Sequence, residues 1–260
     1  MSISEKLMTI AENEQLVANA NAELEEALYS VSEGGKSYYD KFWDIFQSNG
    51  QLTSYNYAFA YGKFNDETFR PKYDIRPTSA ERMFAYNNNV GVGTNSLYCI
   101  TDLSGCLAKA GVVLDTSQCE NLNNAFYMGR GFTRIPTISF EGCNGIIGAT
   151  FYGCYNLHTI DKVILKSDGT NEFSLDSWNL PFGQCIGLRN ITIEGVIGNS
   201  ISFWQSPLSK ESIESIFDAL STTSSGKTLT LNADAVHNAF TDAEWSALII
   251  TKSNWTISLV

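Results

Sequence analysis

Histidine is scarce in this sequence: His158 and His237 are the only two among 260 residues. The six cysteines (Cys99, Cys106, Cys119, Cys143, Cys154 and Cys185) are widely spread and form no CxxC pair. Both shortages argue against a zinc-type site, which needs several such ligands at short spacing. Basic residues are few as well. Lys and Arg total 17 against 28 Asp and Glu, a net charge of −11, and a surface of that sign repels nucleic-acid phosphates and anionic lipid heads alike. No apolar run approaches the roughly 18 residues of a membrane span, so no membrane insertion is expected. Glu5, Glu12 and Glu14 occupy the stretch where a secretory signal would carry its apolar core. Synthesis in the cytoplasm without a signal peptide is the expectation, and the Asn-x-Thr matches at Asn190 and Asn254 then lose their meaning. There is no G-x-S-x-G, no Walker loop and no G-x-G-x-x-G after a strand, which leaves nucleophilic and nucleotide chemistry without support and implies no cofactor.

The composition is that of a folded protein: 43% hydrophobic, 12% aromatic and 17% charged residues. A chain this long buries about three-quarters of its unfolded surface and needs no disulfide or metal to hold it. The cysteines therefore read as buried free thiols.

Three regions succeed one another. In residues 1–32, Ile3, Ile10, Val17, Leu24 and Val31 recur every seventh position, a heptad stripe expected to form an α-helical coiled-coil segment that oligomerises the chain. A helix packed on its own domain is the alternative. Residues 33–79 open with a Gly-Gly break and read as a linker, a short helix and an N-terminal cap. Within them Tyr39, Phe42, Trp43 and Phe46 fall at helical spacing, while Tyr55, Tyr57, Phe59 and Tyr61 alternate as one face of a strand. That aromatic row covers the first turn of the third region, or else forms a platform on which sugars stack.

Residues 80–260 carry internal repeats. Phe151-Tyr-Gly-Cys154-Tyr-Asn-Leu157-His-Thr-Ile160 matches Phe182-Gly-Gln-Cys185-Ile-Gly-Leu188-Arg-Asn-Ile191, both reading F-x2-C-x2-L-x2-I. A weaker copy runs from Phe126 through Gly129 and Phe132 to Ile135, and Met83-Phe84 begins a degenerate fourth. A period of this kind with apolar residues at fixed offsets predicts a solenoid, in which stacked neighbours bury the face that one turn cannot bury alone. Cys154 and Cys185 then share one slot in successive turns. Asp168-Gly169 marks a turn expected to insert a hairpin. Farther on, a helix over 210–221 capped by Ser209, a strand over 227–231, a capping-box helix from Thr241 and a strand over 255–259 predict α/β closing turns.

The F-x2-C-x2-L-x2-I pattern resembles the leucine-rich repeats of the BspA-like class. Together with the acidic heptad helix, Phe69-Arg-Pro-Lys-Tyr-Asp74 and Leu208-Ser-Lys-Glu-Ser-Ile213, it is similar to tail-associated or fibre-like proteins of phages and prophages. The resemblance implies an α/β leucine-rich-repeat solenoid, self-association as a trimer, and other virion tail proteins as partners. It also implies a place in the virion tail and attachment to a bacterial surface glycan or protein, and it implies no catalytic residue. A bacterial BspA-like adhesin is the alternative.

On such a scaffold Tyr127, Tyr152, Tyr155, Trp178 and Trp204 are candidate ligand contacts, because aromatic residues are enriched in recognition surfaces. A glycan-degrading tail enzyme is the remaining reading. It would need two paired carboxylates, for which Glu120, Glu141, Asp161, Asp168, Glu172, Asp176 and Glu194 are available, though spacing pairs none of them.

Overall fold

The computed structural model describes residues 42–44, 46–48, 52–60, 64–87 and 99–260. The heptad residues Ile3, Ile10, Val17, Leu24 and Val31, with Tyr39 and Tyr61, lie outside the described residues. The architecture is mixed α/β. The helices are α1 (Leu103–Ala110), α2 (Lys210–Ala219), α3 (Ala233–Ala239) and α4 (Asp242–Ile250). The strands are β1 (Arg134–Ile135), β2 (Ile138–Ser139), β3 (Ile146–Ile147), β4 (Thr159–Ile164), β5 (Glu172–Phe173), β6 (Asn190–Glu194), β7 (Ile201–Phe203), β8 (Lys227–Leu231) and β9 (Trp255–Leu259).

Every ladder between these strands is parallel. β4 pairs with β1 and β2 on one side and β6 on the other, β3 pairs with β5, and the C-terminal sheet runs β7-β8-β9. Parallel partners require the chain to travel right round before it pairs again, so each circuit is laid on the previous one. The repeated apolar slots coincide across circuits: Ile135, Ile160 and Ile191 are register partners in turn, and Phe132, Leu157 and Leu188 are all buried.

The centre of the stack is a column of rings. Phe59, Phe84, Phe126, Phe151, Phe182 and Phe203 succeed one another with centroids 5.0, 5.3, 5.3, 5.4 and 4.6 Å apart and planes within 29° of parallel. The backbone around the column is unusual. Around three of these phenylalanines the residues two before and two after take positive φ: Arg82 and Tyr86 around Phe84, Asn124 and Met128 around Phe126, and Ala149 and Gly153 around Phe151. Alternation of handedness turns every second N–H the same way along the stack. Phe84, Phe126 and Phe151 thereby donate to the carbonyls of Ala125, Thr150 and Pro181 at 2.6, 2.8 and 2.8 Å, and Asn124 and Met128 donate to Gly148 and Tyr152. Left-handed conformations cost L-residues free energy, and this ladder holds them in place.

The same device corrects the expected strand at Tyr55–Tyr61. Residues 56–60 form a turn in which Tyr57 has φ 58. The N–H groups of Tyr55, Tyr57 and Phe59 bond the carbonyls of Ser79, Glu81 and Met83, so the period of two belongs to the backbone. Burial instead repeats every fourth residue: Tyr55 and Phe59 are buried and Tyr57 is 44% exposed. With Phe42, Trp43, Phe46, Phe64 and Phe69 they form the aromatic cluster that covers this end of the stack. The described residues 42–44 and 46 are helical and bury Phe42, Trp43 and Phe46, in line with their spacing.

Asp168-Gly169 makes a turn but no hairpin, because β4 and β5 do not pair with each other. Asp168 accepts from the N–H and hydroxyl of Thr170, and the chain passes on to pair with β3. The strands β8 and β9, Ser209 as the α2 N-cap and the Thr241–Glu244 capping box of α4 lie where the sequence puts them. The helices α1 and α3 are additions to the expected elements. Asp102 and Gly111 cap α1 at its two ends, and Asn232 caps α3 at its N-terminus.

All six cysteines are buried free thiols. Cys154 and Cys185 occupy one slot and donate to the carbonyls of Phe126 and Phe151, each at 3.1 Å. In the preceding circuit the slot is Gly129, because Phe132 replaces leucine and a Cβ on Gly129 would lie 2.8 Å from its ring.

This packing sets three expected outcomes. Phe151→Ala opens a cavity between two stacked rings and is expected to cost about 3–5 kcal/mol in a urea titration; a loss below about 1 kcal/mol would show that the column does not carry the core. Gly195 (φ +95) would place a Cβ 2.2 Å from the Leu165 carbonyl, whereas Gly145 (φ +107) has open space around it. Gly195→Ala should therefore lower the melting temperature well beyond Gly145→Ala, and equal effects would refute the close approach. Burial pushes the thiols up to about 12 at Cys106, Cys143 and Cys154 and about 11 at Cys99 and Cys119. Thiols ionise in the unfolded chain from near the ordinary value of 9.0, so this stabilisation is complete below that pH and is lost as pH rises through about 11 to about 12. The urea midpoint should fall across that window; the drop should shrink when Cys154 is replaced by alanine, and an unchanged drop would contradict the linkage.

Candidate functional site

Just after each phenylalanine the chain turns a corner, and stacking brings equivalent corner residues into columns. Tyr127 and Tyr152, each one residue past its phenylalanine, stack with centroids 5.7 Å apart and planes 13° from parallel. Tyr86 meets Tyr127 edge-on at 5.7 Å. The Tyr152 ring lies over Gly183 of the next circuit, where a Cβ would come within 2.6 Å; the glycine is what admits the ring.

Four residues past the phenylalanine stands a second column, Arg130, Tyr155 and Ile186. The Arg130 guanidinium lies over the Tyr155 ring with its carbon 4.7 Å from the centroid, a cation–π arrangement. The Tyr155 hydroxyl donates to Gln184 at 2.7 Å, and the Gln184 N–H in turn donates to the Gln205 side chain at 2.6 Å. The ring is thus fixed beneath the cation. Arg130 Nε is shielded from solvent and has no hydrogen-bond partner among the described residues.

Beyond Ile186 the surface falls into a groove of about 470 Å³ lined by Ile186, Arg189, Gln205, Lys210, Asn232 and Asp234, among others. Lys210 is engaged by Glu244 at 2.7 Å. Arg189 is exposed, and its guanidinium meets no acceptor among the described residues. The groove combines aliphatic walls with amide and guanidinium donors, which suits a polar ligand that also presents an apolar face.

Of the five aromatic candidates, the structure brings Tyr127, Tyr152 and Tyr155 together and leaves two apart. Tyr152 is buried as the floor of its column, while Tyr127 and Tyr155 are half-buried. Trp178 projects alone, 76% exposed, from the loop after β5. Trp204 is half-buried beside Gln205 and takes part through its carbonyl, which accepts from Asn232 at 3.0 Å.

Most of the carboxylates considered for hydrolysis serve local structure. Asp161 pairs with Arg134 and accepts from Ser104, Glu194 pairs with Lys162, and Glu141 accepts from Ser139. Asp168 and Asp176 hold their own turns, and Glu120 and Glu172 are exposed. His158 and His237 are exposed on separate elements. Among the described residues no three or more His, Cys, Asp or Glu side chains are grouped to hold a metal ion.

Sequence reading missed Arg130 and Arg189. Extending the repeat alignment one residue past the cysteine puts Arg130 in register with Tyr155, and that was the available signal. Comparison with known proteins adds no relative: no family model, no curated protein and no solved structure matches the chain.

Proposed function

We propose that this chain is a non-catalytic recognition protein of a phage tail: a leucine-rich-repeat solenoid of the BspA-like kind that attaches to the bacterial surface through its corner columns. The observation that supports it most directly is the placement of Tyr127, Tyr152, Tyr155 and Arg130 in adjacent circuits on a backbone held by inter-circuit hydrogen bonds. Rigid aromatic rings and a stacked guanidinium give contact area at little cost in conformational entropy. Parallel ladders with apolar residues in recurring slots are the arrangement a solenoid requires.

In this reading residues 3–31 assemble the chain, as a trimer, through Ile3, Ile10, Val17, Leu24 and Val31, and join it to other tail proteins. Several copies of a weak site then act together, and avidity exceeds the affinity of any single one. Among the described residues no helix is long and apolar enough to cross a membrane.

The test is labelling of a panel of bacterial strains by the fluorescent full chain, beside Tyr155→Ala and the assembly variant Val17→Asp. Strain-selective labelling that weakens in both variants is expected, with light scattering showing that Val17→Asp has become a monomer. Labelling of no strain, or labelling indifferent to both changes, would overturn the reading.

A further inference from the structure

Six arginines occur in a chain where carboxylates exceed cations by 28 to 17. Arg70, Arg76 and Arg134 are paired with Glu67, with Asp74 and Asp115, and with Asp161. Arg82 donates to the Tyr57 hydroxyl. Arg130 and Arg189 are different. Apart from the Tyr155 ring, neither guanidinium meets a partner among the described residues, although acidic side chains are abundant and a guanidinium normally pairs where a carboxylate is within reach.

These two arginines flank one continuous piece of surface. Arg130 lies over Tyr155, Ile186 takes the same slot of the next circuit, and Arg189 is three residues farther along, in the wall of the groove that Ile186 opens. Tyr155 is tied to that groove through Gln184 and Gln205. We infer that this track, from Tyr127 across Arg130 and Tyr155 to Arg189, binds an acidic saccharide, with its sugar rings against the exposed parts of Tyr127 and Tyr155 and its carboxylates on the two guanidinium groups. The inference rests on the recognition reading above and names the class of ligand at that same surface.

The chemistry selects this class over others. A guanidinium placed over a ring still has N–H donors that the ring does not use, and a pair of them matches the two oxygens of a carboxylate. The exposed parts of the half-buried Tyr127 and Tyr155 offer apolar surface to the C–H side of a pyranose, and the groove's Gln205 and Asn232 amides and its Asp234 carboxylate suit hydroxyl groups. Nucleic-acid affinity is built from many Lys and Arg contacts to successive phosphates, whereas this track offers two arginines that are unpaired among the described residues.

The experiment is calorimetric titration of the full chain with oligomers of polygalacturonate and of polysialate, beside neutral dextran and single-stranded DNA. Binding to at least one acidic glycan is expected, weakening as salt rises, with neither dextran nor DNA bound. Arg130→Gln and Arg189→Gln should each weaken it by about tenfold or more, and Arg130→Lys should recover only part of the loss, because a lysine keeps the charge without the fork. Melting temperatures equal to the parent's confirm that each variant is folded. Equal binding of dextran, preference for DNA, or affinity unchanged in both Gln variants overturns the proposal. If strains are labelled but neither acidic glycan binds, the ligand class is wrong and the recognition reading stands; if neither occurs, both fall.

Discussion

The amide N–H of one core phenylalanine, bonded to the carbonyl just before the next, is the contact on which this structure depends. It recurs at Phe59, Phe84, Phe126 and Phe151, and it demands that successive circuits share one alternating backbone path. Once that path is shared, the rings must stack, the cysteine slots must align and the corner residues must fall into columns. The column of phenylalanines supplies the apolar burial, but the hydrogen-bond ladder supplies the register. A ring alone could slide along its neighbour; a ring whose own amide is committed cannot.

The arrangement tolerates circuits of unequal length. Phe84 and Phe126 are 42 residues apart, yet their rings lie as close as those of Phe126 and Phe151, which are 25 residues apart. The extra chain includes α1, whose Cys106 and Leu107 pack into the same core. Length is thus absorbed away from the column, and the corner keeps its geometry from circuit to circuit. This is why the corner surface can be regular on a backbone whose repeats are not.

Much of this was legible. Apolar slots at constant offset from Phe126, Phe151 and Phe182 announced the parallel register at Ile135, Ile160 and Ile191, because residues that stack must match in size and polarity. The capping chemistry at Ser209 and Thr241 was equally plain, being local. The Tyr55–Tyr61 row misled because alternating handedness and an extended strand both repeat every second residue, and nothing in residue type separates them: Tyr57, Arg82, Tyr86 and Met128 all sit at positive φ, where glycine would have been the usual marker. At the candidate site the tyrosines were recognisable as residue types, whereas Arg130 and Arg189 stand out only because no carboxylate pairs with them among the described residues, a property of three-dimensional neighbours. The short helices α1 and α3 were hidden for a different reason: each spans too few turns to display a stripe.

Gln205 ends the alternating path. In earlier circuits the N–H two residues past the phenylalanine bonds a backbone carbonyl of the next circuit, as Met128 does to Tyr152 and Gly153 to Gly183; at Gln184 the acceptor is the Gln205 side-chain amide. A side chain satisfies the donor without imposing backbone handedness, so the chain beyond is released to form α2, β8, α3, α4 and β9. The protein therefore has a terminator that is chemically separate from its repeating part. Growth or shortening by a whole circuit upstream leaves that terminator intact, and the reach of the outer surface becomes a quantity that recombination can change in single steps.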